Sequence, residues 1–211
     1  MGNCVIFCAA EFEDLAQPIG PEDFIIAADG GLAHLQKIGV HANEIIGDFD
    51  SLGYTPEGAA VFPVEKDDTD AMLAVRRGLQ LEYRNFLLYG SLAGPRLDHP
   101  VANFQTLQFL ADQGASGYLV GKSQIVTVLK NSSLSFPESA EGTISLFCLG
   151  ADAKGITLKN LYYPLENGSL TAGFPLGVSN HFIGKPAEIS VKDGSLLVIW
   201  DRNVGFPCSR M

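Results

Sequence analysis

The chain has 211 residues, of which 46% are hydrophobic and 18% charged, a balance typical of a globular protein with a sizeable core. Its 24 acidic and 14 basic residues give a formal charge of −10. General nucleic-acid binding requires a basic surface, so no nucleic-acid partner is expected. No apolar run approaches the roughly 20 residues that cross a bilayer, and no signal-peptide pattern begins the chain, so no membrane partner is expected.

The chain contains four cysteines, and no two of them have the CxxC spacing of a zinc site or redox motif. Two of them, Cys4 and Cys8, belong to an apolar predicted strand, where a buried, reduced thiol is the ordinary outcome. This cysteine usage favours a reducing compartment and predicts a cytoplasmic location.

The first part of the chain alternates strand and helix patterns. Short apolar runs predict strands covered on both faces, at residues 3–10, 23–28, 44–46, 85–89 and 118–120. Apolar residues at three- and four-residue steps predict helices, at residues 31–38, 68–81 and 100–113. This alternation predicts an α/β domain with a mainly parallel sheet and helices on both faces.

The last third of the chain has no helical periodicity. Its short β-like runs lie at residues 143–149, 155–161, 169–172, 187–192 and 195–200. Asn167-Gly168 and Asp193-Gly194 predict hairpin turns between strands. We therefore expect a small antiparallel β-sandwich or barrel. The predicted domains are residues 1–129 and residues 130–211.

Polar motifs follow the predicted strands of the first domain, and the first is Asp29-Gly30-Gly31. Two glycines at the start of a helix let the main chain approach a phosphate, whose charge suits the helix N-terminus. A tight turn in which Asp29 caps the helix explains the same residues equally well.

The second motif, Gly47-Asp48-Phe49-Asp50-Ser51, directly follows an apolar strand. In an extended segment, Asp48 and Asp50 lie on the same side. Like charges this close are costly unless a cation joins them, and Mg²⁺ prefers oxygen ligands. A solvated acidic loop is the alternative.

The third motif, Lys66-Asp67-Asp68-Thr69-Asp70, begins a predicted helix. One acid there can cap the helix, and another can complement its dipole. Three acids within four residues exceed what capping requires. They offer a second set of carboxylates for the same metal.

The fourth motif is a glycine-rich loop that begins at Gly90 and precedes a predicted helix. Its main-chain N–H groups suit phosphate, and Arg96 offers a planar fork for phosphate oxygens. Asp98 is placed to join the metal site. His99 either contacts a nucleotide or merely begins the helix, which also carries Asn103.

Together these motifs supply carboxylates, a metal site and phosphate donors, the requirements of phosphoryl or pyrophosphoryl transfer. The Walker pattern GxxxxGK[ST] and the protein-kinase motifs are absent from the sequence.

The four motifs resemble the motif set of thiamine pyrophosphokinases. The resemblance continues through the second predicted domain, at residues 155–158, 163–165, 177–180 and 194–198. It runs in order through nearly the whole chain, and the combination of GDxDS with DxTD is specific. One departure is His181, which follows Ser179-Asn180 where many bacterial members carry an acid.

The resemblance implies an ATP-dependent diphosphotransferase that converts ATP and thiamine to thiamine diphosphate and AMP. It implies Mg²⁺ held by Asp48, Asp50 and Asp70, with Asp98 beside these catalytic residues. The implied ATP-binding residues are Asp29, Gly30, Gly31, Ser51, Thr69, Gly90, Arg96, Asp98, His99 and Asn103. The implied thiamine contacts are Asp48, Asp70, Ser179 and Asn180.

The resemblance also implies a homodimer in which thiamine lies between the first domain of one subunit and the β-domain of the other. Two alternatives stay open. One is a pyrophosphokinase with the same ATP site and another acceptor, such as a hydroxymethylpterin. The other is a non-catalytic nucleotide sensor that shares the fold.

Overall fold

A computed structural model describes residues 2–47, 60–61 and 67–210, with the main chain alone at 60–61 and 209–210. The chain divides into two compact units, residues 1–122 and 123–211. None of the described helices is long and apolar enough to cross a membrane.

The first unit is built on a parallel sheet. Its described strands are β1 (Cys4–Phe7), β2 (Phe24–Ala28), β3 (Glu44–Gly47), β4 (Ala60–Val61), β5 (Asn85–Tyr89) and β6 (Ser116–Val120). They are ordered β6-β5-β1-β2-β3-β4, and every neighbouring pair is parallel. All four residues of β1 are buried. Since successive side chains point to opposite faces, both faces of this central strand are covered.

Three helices connect the strands of this unit within its described residues: α1 (Gly31–Ile38), α2 (Asp70–Gln80) and α3 (Asp98–Asp112). Helix α1 ends where Gly39 takes a left-handed conformation with φ of 68°, as a glycine readily does. Helix α2 begins at Asp70, two residues later than the apolar spacing predicts, because Thr69 is its N-cap. Helix α3 begins two residues earlier than predicted.

The strand order reverses at β1. Strands β2 to β4 lie on one side of it, and β5 and β6 lie on the other. In open α/β sheets, the crevice that binds ligands lies outside the carboxyl ends of the strands, at the point where the strand order reverses. Here the crevice lies beyond the ends of β1 and β5.

The second unit consists of antiparallel strands in two sheets. One is ordered β12-β9-β14-β7 and the other β11-β10-β13-β8-β15. The strands are β7 (Gln124–Lys130), β8 (Ser133–Phe136), β9 (Thr143–Cys148), β10 (Ala153–Lys159), β11 (Leu165–Leu170), β12 (Asn180–His181), β13 (Ala187–Ser190), β14 (Ser195–Asp201) and β15 (Ser209–Arg210). A 3-10 turn, Arg202–Val204, follows β14.

Aromatic side chains join these two sheets. Phe136 on β8 lies edge-on to Trp200 on β14, with ring centroids 5.4 Å apart, and packs likewise against Phe182. The Trp200 indole donates to the Gly205 carbonyl at 2.8 Å. Such ring pairs contribute roughly 1 kcal/mol beyond their burial, so this cluster holds the two sheets together.

The predicted order, alternating strands and helices followed by antiparallel strands, is confirmed, but both predicted hairpin turns are wrong. Asn167 and Gly168 lie inside β11. Between the paired residues Leu165 and Gly168, two residues of β11 face a single residue of β10, which makes a bulge. Asp193 and Gly194 connect β13 to β14, which belong to different sheets.

The sequence-based prediction misses five of the described strands, which are β4, β7, β8, β12 and β15. Strand β7 pairs with β14 along its whole length, from Gln124 opposite Asp201 to Lys130 opposite Ser195. The structural division therefore falls between Lys122 and Ser123, ahead of β7. The sequence places the boundary seven residues later.

Candidate active site

The loops that follow β1 and β5 are held against each other. Beyond the last paired residues, the Cys8 amide donates to the Tyr89 carbonyl at 2.8 Å, and the Ala10 amide donates to the Gly90 carbonyl at 3.0 Å. Gly90 has φ of 62°. A Cβ at Gly90 would lie 2.4 Å from the Cys8 oxygen, so this close approach requires a glycine.

The Asp29-Gly30-Gly31 motif joins β2 to α1 at the same edge. A Cβ at Gly31 would lie 1.8 Å from the Phe7 oxygen, so the helix begins directly on the end of β1. The N-cap is Gly30, with no side-chain cap, and Asp29 stands one residue earlier with φ of 47°. Asp29 therefore does not occupy the capping position, and the helix N-terminus faces the loops with its positive dipole end.

The second motif begins beside the first. A Cβ at Gly47 would lie 3.0 Å from the Asp29 Cα, so the end of β3 touches the turn after β2. Asp48, Asp50 and Ser51 lie outside the described residues. The chain thus enters the predicted metal-binding segment next to Asp29.

The third motif forms the start of α2. The Thr69 hydroxyl accepts from the Met72 amide at 3.2 Å, so a threonine caps this helix and not an acid. Asp70 is the first helical residue. The pKa of the Cys8 thiol is raised to about 12, chiefly by burial and to a smaller extent by the negative charge of Asp70. Asp70 therefore lies within electrostatic reach of the carboxyl end of β1.

The other acids of this motif have different surroundings. Asp68 forms an ion pair with Arg76 at 2.9 Å, and the Arg76 guanidinium lies 5.0 Å from the Phe109 ring centroid on α3. Asp67 is exposed. Asp68 is thus paired with an arginine of the helix that follows it, whereas Asp70 is the acid of this motif whose charge acts on Cys8 at the end of β1.

Buried polar contacts hold the loop after β5. The Ser91 hydroxyl donates to the Leu88 carbonyl, and the Asn103 amide of α3 donates to the Ser91 carbonyl, both at 2.8 Å. Asn103 is buried. Its bond attaches the start of the glycine-rich loop to α3.

Arg96 and Asp98 are bonded to each other. The guanidinium donates twice to the carboxylate, at 2.6 and 3.2 Å. The hydrogen bond from Arg96 lowers the pKa of Asp98, and the same bond raises the pKa of Arg96. Asp98 also accepts from the His99 amide at 3.1 Å. All three side chains are exposed, so the Arg96 fork is accessible to an anion that competes with Asp98.

The donors at this edge fit Mg²⁺. No group of three or more Asp, Glu, His or Cys residues within the described part of the chain lies close enough to hold a metal. Of the predicted ligands, that part includes Asp70 alone. The remaining two, Asp48 and Asp50, are also carboxylates, so the set offers oxygen only, the chemistry that Mg²⁺ prefers.

The second unit presents an apolar cavity of about 490 Å³. Its lining residues are Leu158, Tyr163, Pro164, Leu165, Leu170, Leu176, Gly177, Val178, Ser179 and Asn180. Tyr163 and Leu176 are 60% and 64% exposed, and the neighbouring Phe174 is 65% exposed. Exposed side chains of this size, grouped around a cavity, indicate a ligand or partner surface.

Asn180 supports this cavity from within. It is 4% exposed, and its amide group bonds both main-chain groups of Tyr163, accepting at 2.9 Å and donating at 2.8 Å. It accepts also from the His181 amide at 2.9 Å. Its side chain is thus occupied in holding Tyr163. The neighbouring Ser179 is exposed at the rim, with φ of 59°.

Sequence reasoning missed the segment after β1. The Ala10 carbonyl lies 2.8 Å from the His34 Nε2 atom, and the Phe12 ring lies 5.4 Å from the His34 ring. No motif signals these contacts, because the residues are separated along the chain. Their place beyond β1, at the strand-order reversal, is the feature that identifies them.

The fold and these loops match a class of protein, the phosphate-group-transfer enzymes that combine a parallel-sheet unit with an antiparallel β unit. The family model described as "Thiamin pyrophosphokinase, catalytic domain" matches residues 15–119. The model described as "Thiamin pyrophosphokinase, vitamin B1 binding domain" matches residues 131–196. The chain belongs to the thiamine pyrophosphokinase family, and the resemblance seen in the sequence is confirmed.

Individual relatives agree with this assignment. The chain is 28% identical to the thiamine pyrophosphokinase of Bacillus subtilis (strain 168), over 82% of this chain and 85% of the relative. The crystal structure of thiamine pyrophosphokinase from Bacillus subtilis is similar, with a TM-score of 0.84, 25% identity and coverage of 94% of this chain and 99% of that one. The corresponding enzyme of Geobacillus thermodenitrificans gives a TM-score of 0.82, 25% identity and coverage of 95% and 97%.

Proposed function

We propose that the chain carries out the reaction of its family, the transfer of a diphosphate group from ATP to thiamine, at the carboxyl ends of β1, β2, β3 and β5. One observation carries this placement. The predicted motifs that the structure describes come together at one edge of the first unit, where Gly31 touches the end of β1, Gly47 touches Asp29 and the Gly90 loop bonds Ala10. This edge includes the strand-order reversal, where open α/β sheets bind ligands.

The reaction forms one bond and breaks one. The thiamine hydroxyl oxygen attacks the β-phosphorus of ATP, and the bond from that phosphorus to the oxygen bridging to the α-phosphate breaks. AMP leaves with the bonding electrons, and the hydroxyl proton is released. The acceptor must therefore approach in line with the departing AMP, and the enzyme must stabilise the negative charge of the triphosphate.

We assign the triphosphate to main-chain and arginine donors. Gly30 and Gly31 let the N-terminus of α1 approach a phosphate closely, and the Gly90 loop supplies main-chain N–H groups on the opposite side. Arg96 transfers its fork from Asp98 to phosphate oxygens, which supply the same bidentate geometry. Asn103 and Thr69 contribute by holding this loop and the start of α2 in place.

We assign the metal site to Asp48, Asp50 and Asp70. Bound there, Mg²⁺ neutralises charge on the β- and γ-phosphates. Asp70 extends from the first turn of α2, and its carboxylate already acts on the environment of Cys8 at the end of β1. Asp98, released by Arg96, remains beside this site.

We assign thiamine to the apolar cavity of the second unit. A cavity of about 490 Å³ has room for a small substrate that consists of two linked rings. Aromatic side chains such as Tyr163 attract a cationic ring through the ring face, and thiamine carries a cationic thiazolium. Ser179 is placed for direct contact, whereas Asn180 acts by holding Tyr163.

We propose also that the functional division of the chain falls at residue 129, with residues 130–211 forming a sandwich that binds thiamine and mediates dimerisation. In the first unit, α1 and α2 both pack on β1 and β2, and α2 also packs on α3. Together with the burial of every residue of β1, this supports helices on both faces of the sheet. All four cysteines are free thiols, which supports a cytoplasmic location. The exposed apolar rim of the cavity supports a homodimer.

The reaction is tested by product analysis. The purified protein is incubated with MgATP and thiamine, with a hydroxymethylpterin, or with no acceptor, and the products are separated by chromatography. Thiamine diphosphate and AMP in equal amounts are expected with thiamine alone. Another diphosphate with AMP would indicate a different acceptor. An absence of turnover while ATP still binds would indicate a nucleotide sensor.

The shared site is tested by complementation. An Asp48→Asn chain is mixed with a Ser179→Ala/Asn180→Ala chain under conditions of verified subunit exchange. If thiamine is held by two subunits, the heterodimer keeps one intact site and activity recovers to a fraction of wild type. If both parents are folded and inactive and the mixture stays inactive, the site lies within one subunit.

A further inference from the structure

We propose that His34 is a positioning residue of the ATP site: through Ala10, its imidazole ties helix α1 to the loop that follows β5. The inference rests on the proposed function, because it takes both of these elements to hold the triphosphate.

Two hydrogen bonds form this connection. His34 lies on α1 one turn after Gly31, and its Nε2 atom is 2.8 Å from the Ala10 oxygen. A carbonyl oxygen only accepts, so Nε2 carries the hydrogen and donates. The Ala10 amide in turn donates to the Gly90 oxygen at 3.0 Å. Ala10 thus joins the two phosphate elements across the end of β1.

Aromatic rings surround the first of these bonds. The Phe12 ring lies 5.4 Å from the His34 ring and makes edge-on contacts with Phe7 and Tyr89, at 5.3 and 5.7 Å. The Tyr89 hydroxyl accepts from the Ala16 amide at 3.2 Å. His34 and Phe12 are both partly buried. A hydrogen bond shielded from water is electrostatically stronger than an exposed one, and residues 10–16 are anchored at both ends.

The tight contact at Gly90 fixes the position of the loop after β5 relative to the loop after β1. Gly90 has φ of 62°, and a Cβ there would meet the oxygens of both Cys8 and Ala10. The loop after β5 thus follows the loop after β1 closely. If the imidazole is removed, the Ala10 carbonyl loses this donor. The spacing between α1 and the Gly90 loop then loses one of its supports, while the contact of Gly31 with the end of β1 remains.

This arrangement makes a specific demand on ATP and none on thiamine. The triphosphate must contact α1 and the Gly90 loop together, so its binding depends on their spacing. The thiamine cavity is formed by residues of the second unit. Loss of the His34 bond is therefore expected to weaken ATP binding selectively.

The experiment compares three variants in the full-length protein. His34→Ala removes the donor, whereas His34→Gln replaces it with an amide N–H of similar reach. His41→Ala, in the exposed loop between α1 and β3, is the matched control. The measurements are the Kd of α,β-methylene ATP with Mg²⁺ by calorimetry, the KM values for ATP and thiamine, and the thermal midpoint of unfolding.

His34→Ala is expected to raise the Kd and the KM for ATP roughly three- to tenfold, the effect of one lost hydrogen bond. The KM for thiamine should stay within about twofold of wild type. His34→Gln should bring the Kd and the KM for ATP back to within about twofold of wild type as well. His41→Ala should match wild type throughout.

Several results would overturn the inference. They are unchanged ATP binding in His34→Ala, an equal loss for thiamine and ATP, or a His34→Gln variant as weak as His34→Ala despite a normal thermal midpoint. If His34→Ala unfolds, the ATP affinities of His34→Gln and His41→Ala are compared instead. A positioning role requires that His34→Gln folds and binds ATP with near-normal affinity. Failure of the wild-type protein to bind the analogue would instead overturn the proposed function, and this inference with it.

Discussion

The two units of this protein build their candidate sites in different ways. In the first unit, loops at the ends of parallel strands converge, and main-chain groups of residues such as Gly31 and Gly90 form much of the candidate site. In the second unit, side chains form the site, and exposed apolar residues such as Tyr163 and Leu176 surround a cavity.

The difference follows from the ligand that each unit is proposed to hold. Phosphate is recognised by N–H donors and cations, which short glycine-containing loops supply. An organic ring is recognised by apolar and aromatic surface, which requires side chains. The candidate site of the first unit can therefore be recognised from sequence motifs. The candidate site of the second unit depends on which side chains the fold leaves exposed.

The largest expected contrast between the units is in thiol reactivity. The pKa of both Cys4 and Cys8 is raised to about 12, chiefly by burial, so at pH 8 about one of these thiols in ten thousand is ionised. Cys208 in the second unit is exposed. In the native protein, iodoacetamide should label Cys208 at least about a thousandfold faster than Cys4 or Cys8, measured by peptide mass spectrometry.

Urea provides the control for this experiment, because unfolding should make all four cysteines reactive. Rapid labelling of Cys8 in the native protein would mean that the end of β1 is open to solvent, contrary to its burial in the structure.

The next contrast lies within the third motif. Asp70→Asn keeps the shape of the side chain and removes the charge, so turnover should fall roughly a hundredfold or more while the fold is retained, because Thr69 still caps α2. Asp68→Asn is the matched control. It loses an exposed ion pair with Arg76, and its kcat should stay near wild type.

The measurement is kcat at saturating Mg²⁺, with circular dichroism as a check on folding. Equal losses in the two variants would show that the motif does not divide into one metal ligand and one structural acid.

In the second unit, the expected contrast is between Asn180 and Ser179. Asn180→Ala leaves the Tyr163 N–H and carbonyl without their side-chain partner in a partly buried setting, which should cost about 1–2 kcal/mol of unfolding free energy. Ser179→Gly should be neutral or stabilise by up to about 1 kcal/mol, because its φ of 59° suits glycine.

Urea denaturation measures both changes, and steady-state kinetics follows the KM for thiamine. If Asn180 acts by holding Tyr163, Asn180→Ala should both raise the KM for thiamine and lower the free energy of unfolding. A stable Asn180→Ala variant would show that the bonds to Tyr163 contribute little to the fold.

The smallest expected effect concerns Arg96. Because Arg96→Lys keeps the charge but loses the bidentate fork, the KM for ATP should rise roughly fivefold. Arg96→Ala should raise the pKa of Asp98 back towards the ordinary aspartate range, since the hydrogen bond from Arg96 is the main cause of its lowering. NMR titration of the Asp98 carboxyl measures this shift.

The pH dependence of stability that the Arg96–Asp98 pair contributes follows from the lowered pKa of Asp98. The pKa of Asp98 is lowered in the folded state, so the pair stabilises the fold above the ordinary aspartate pKa and loses this effect as the pH falls through the folded value. Both side chains are exposed, so the thermal midpoint at neutral pH should hardly change in Arg96→Ala. Normal ATP kinetics in Arg96→Ala would make Arg96 a surface residue.

Local sequence pattern was enough to place most of the described helices and strands of the first unit. Helix α1 at 31–38 and strand β5 at 85–89 have the predicted limits, because a glycine ends the helix and the strand is a continuous apolar run. The same reasoning failed at Asn167-Gly168, where a residue with positive φ forms a bulge and not a turn. Both conformations can contain a residue with positive φ, so only the pairing with β10 distinguishes them.

The family, the α/β-then-β order and the motifs followed from the sequence, because each depends on residues close together in the chain. Tertiary structure decided how several of those residues are used. It pairs Asp68 with Arg76, makes Thr69 the cap of α2, and buries the amide of Asn180 against Tyr163. It also brings His34 to Ala10, a contact between residues 24 positions apart. Such partners are set by strand order and helix packing, which bring together residues that no short motif contains.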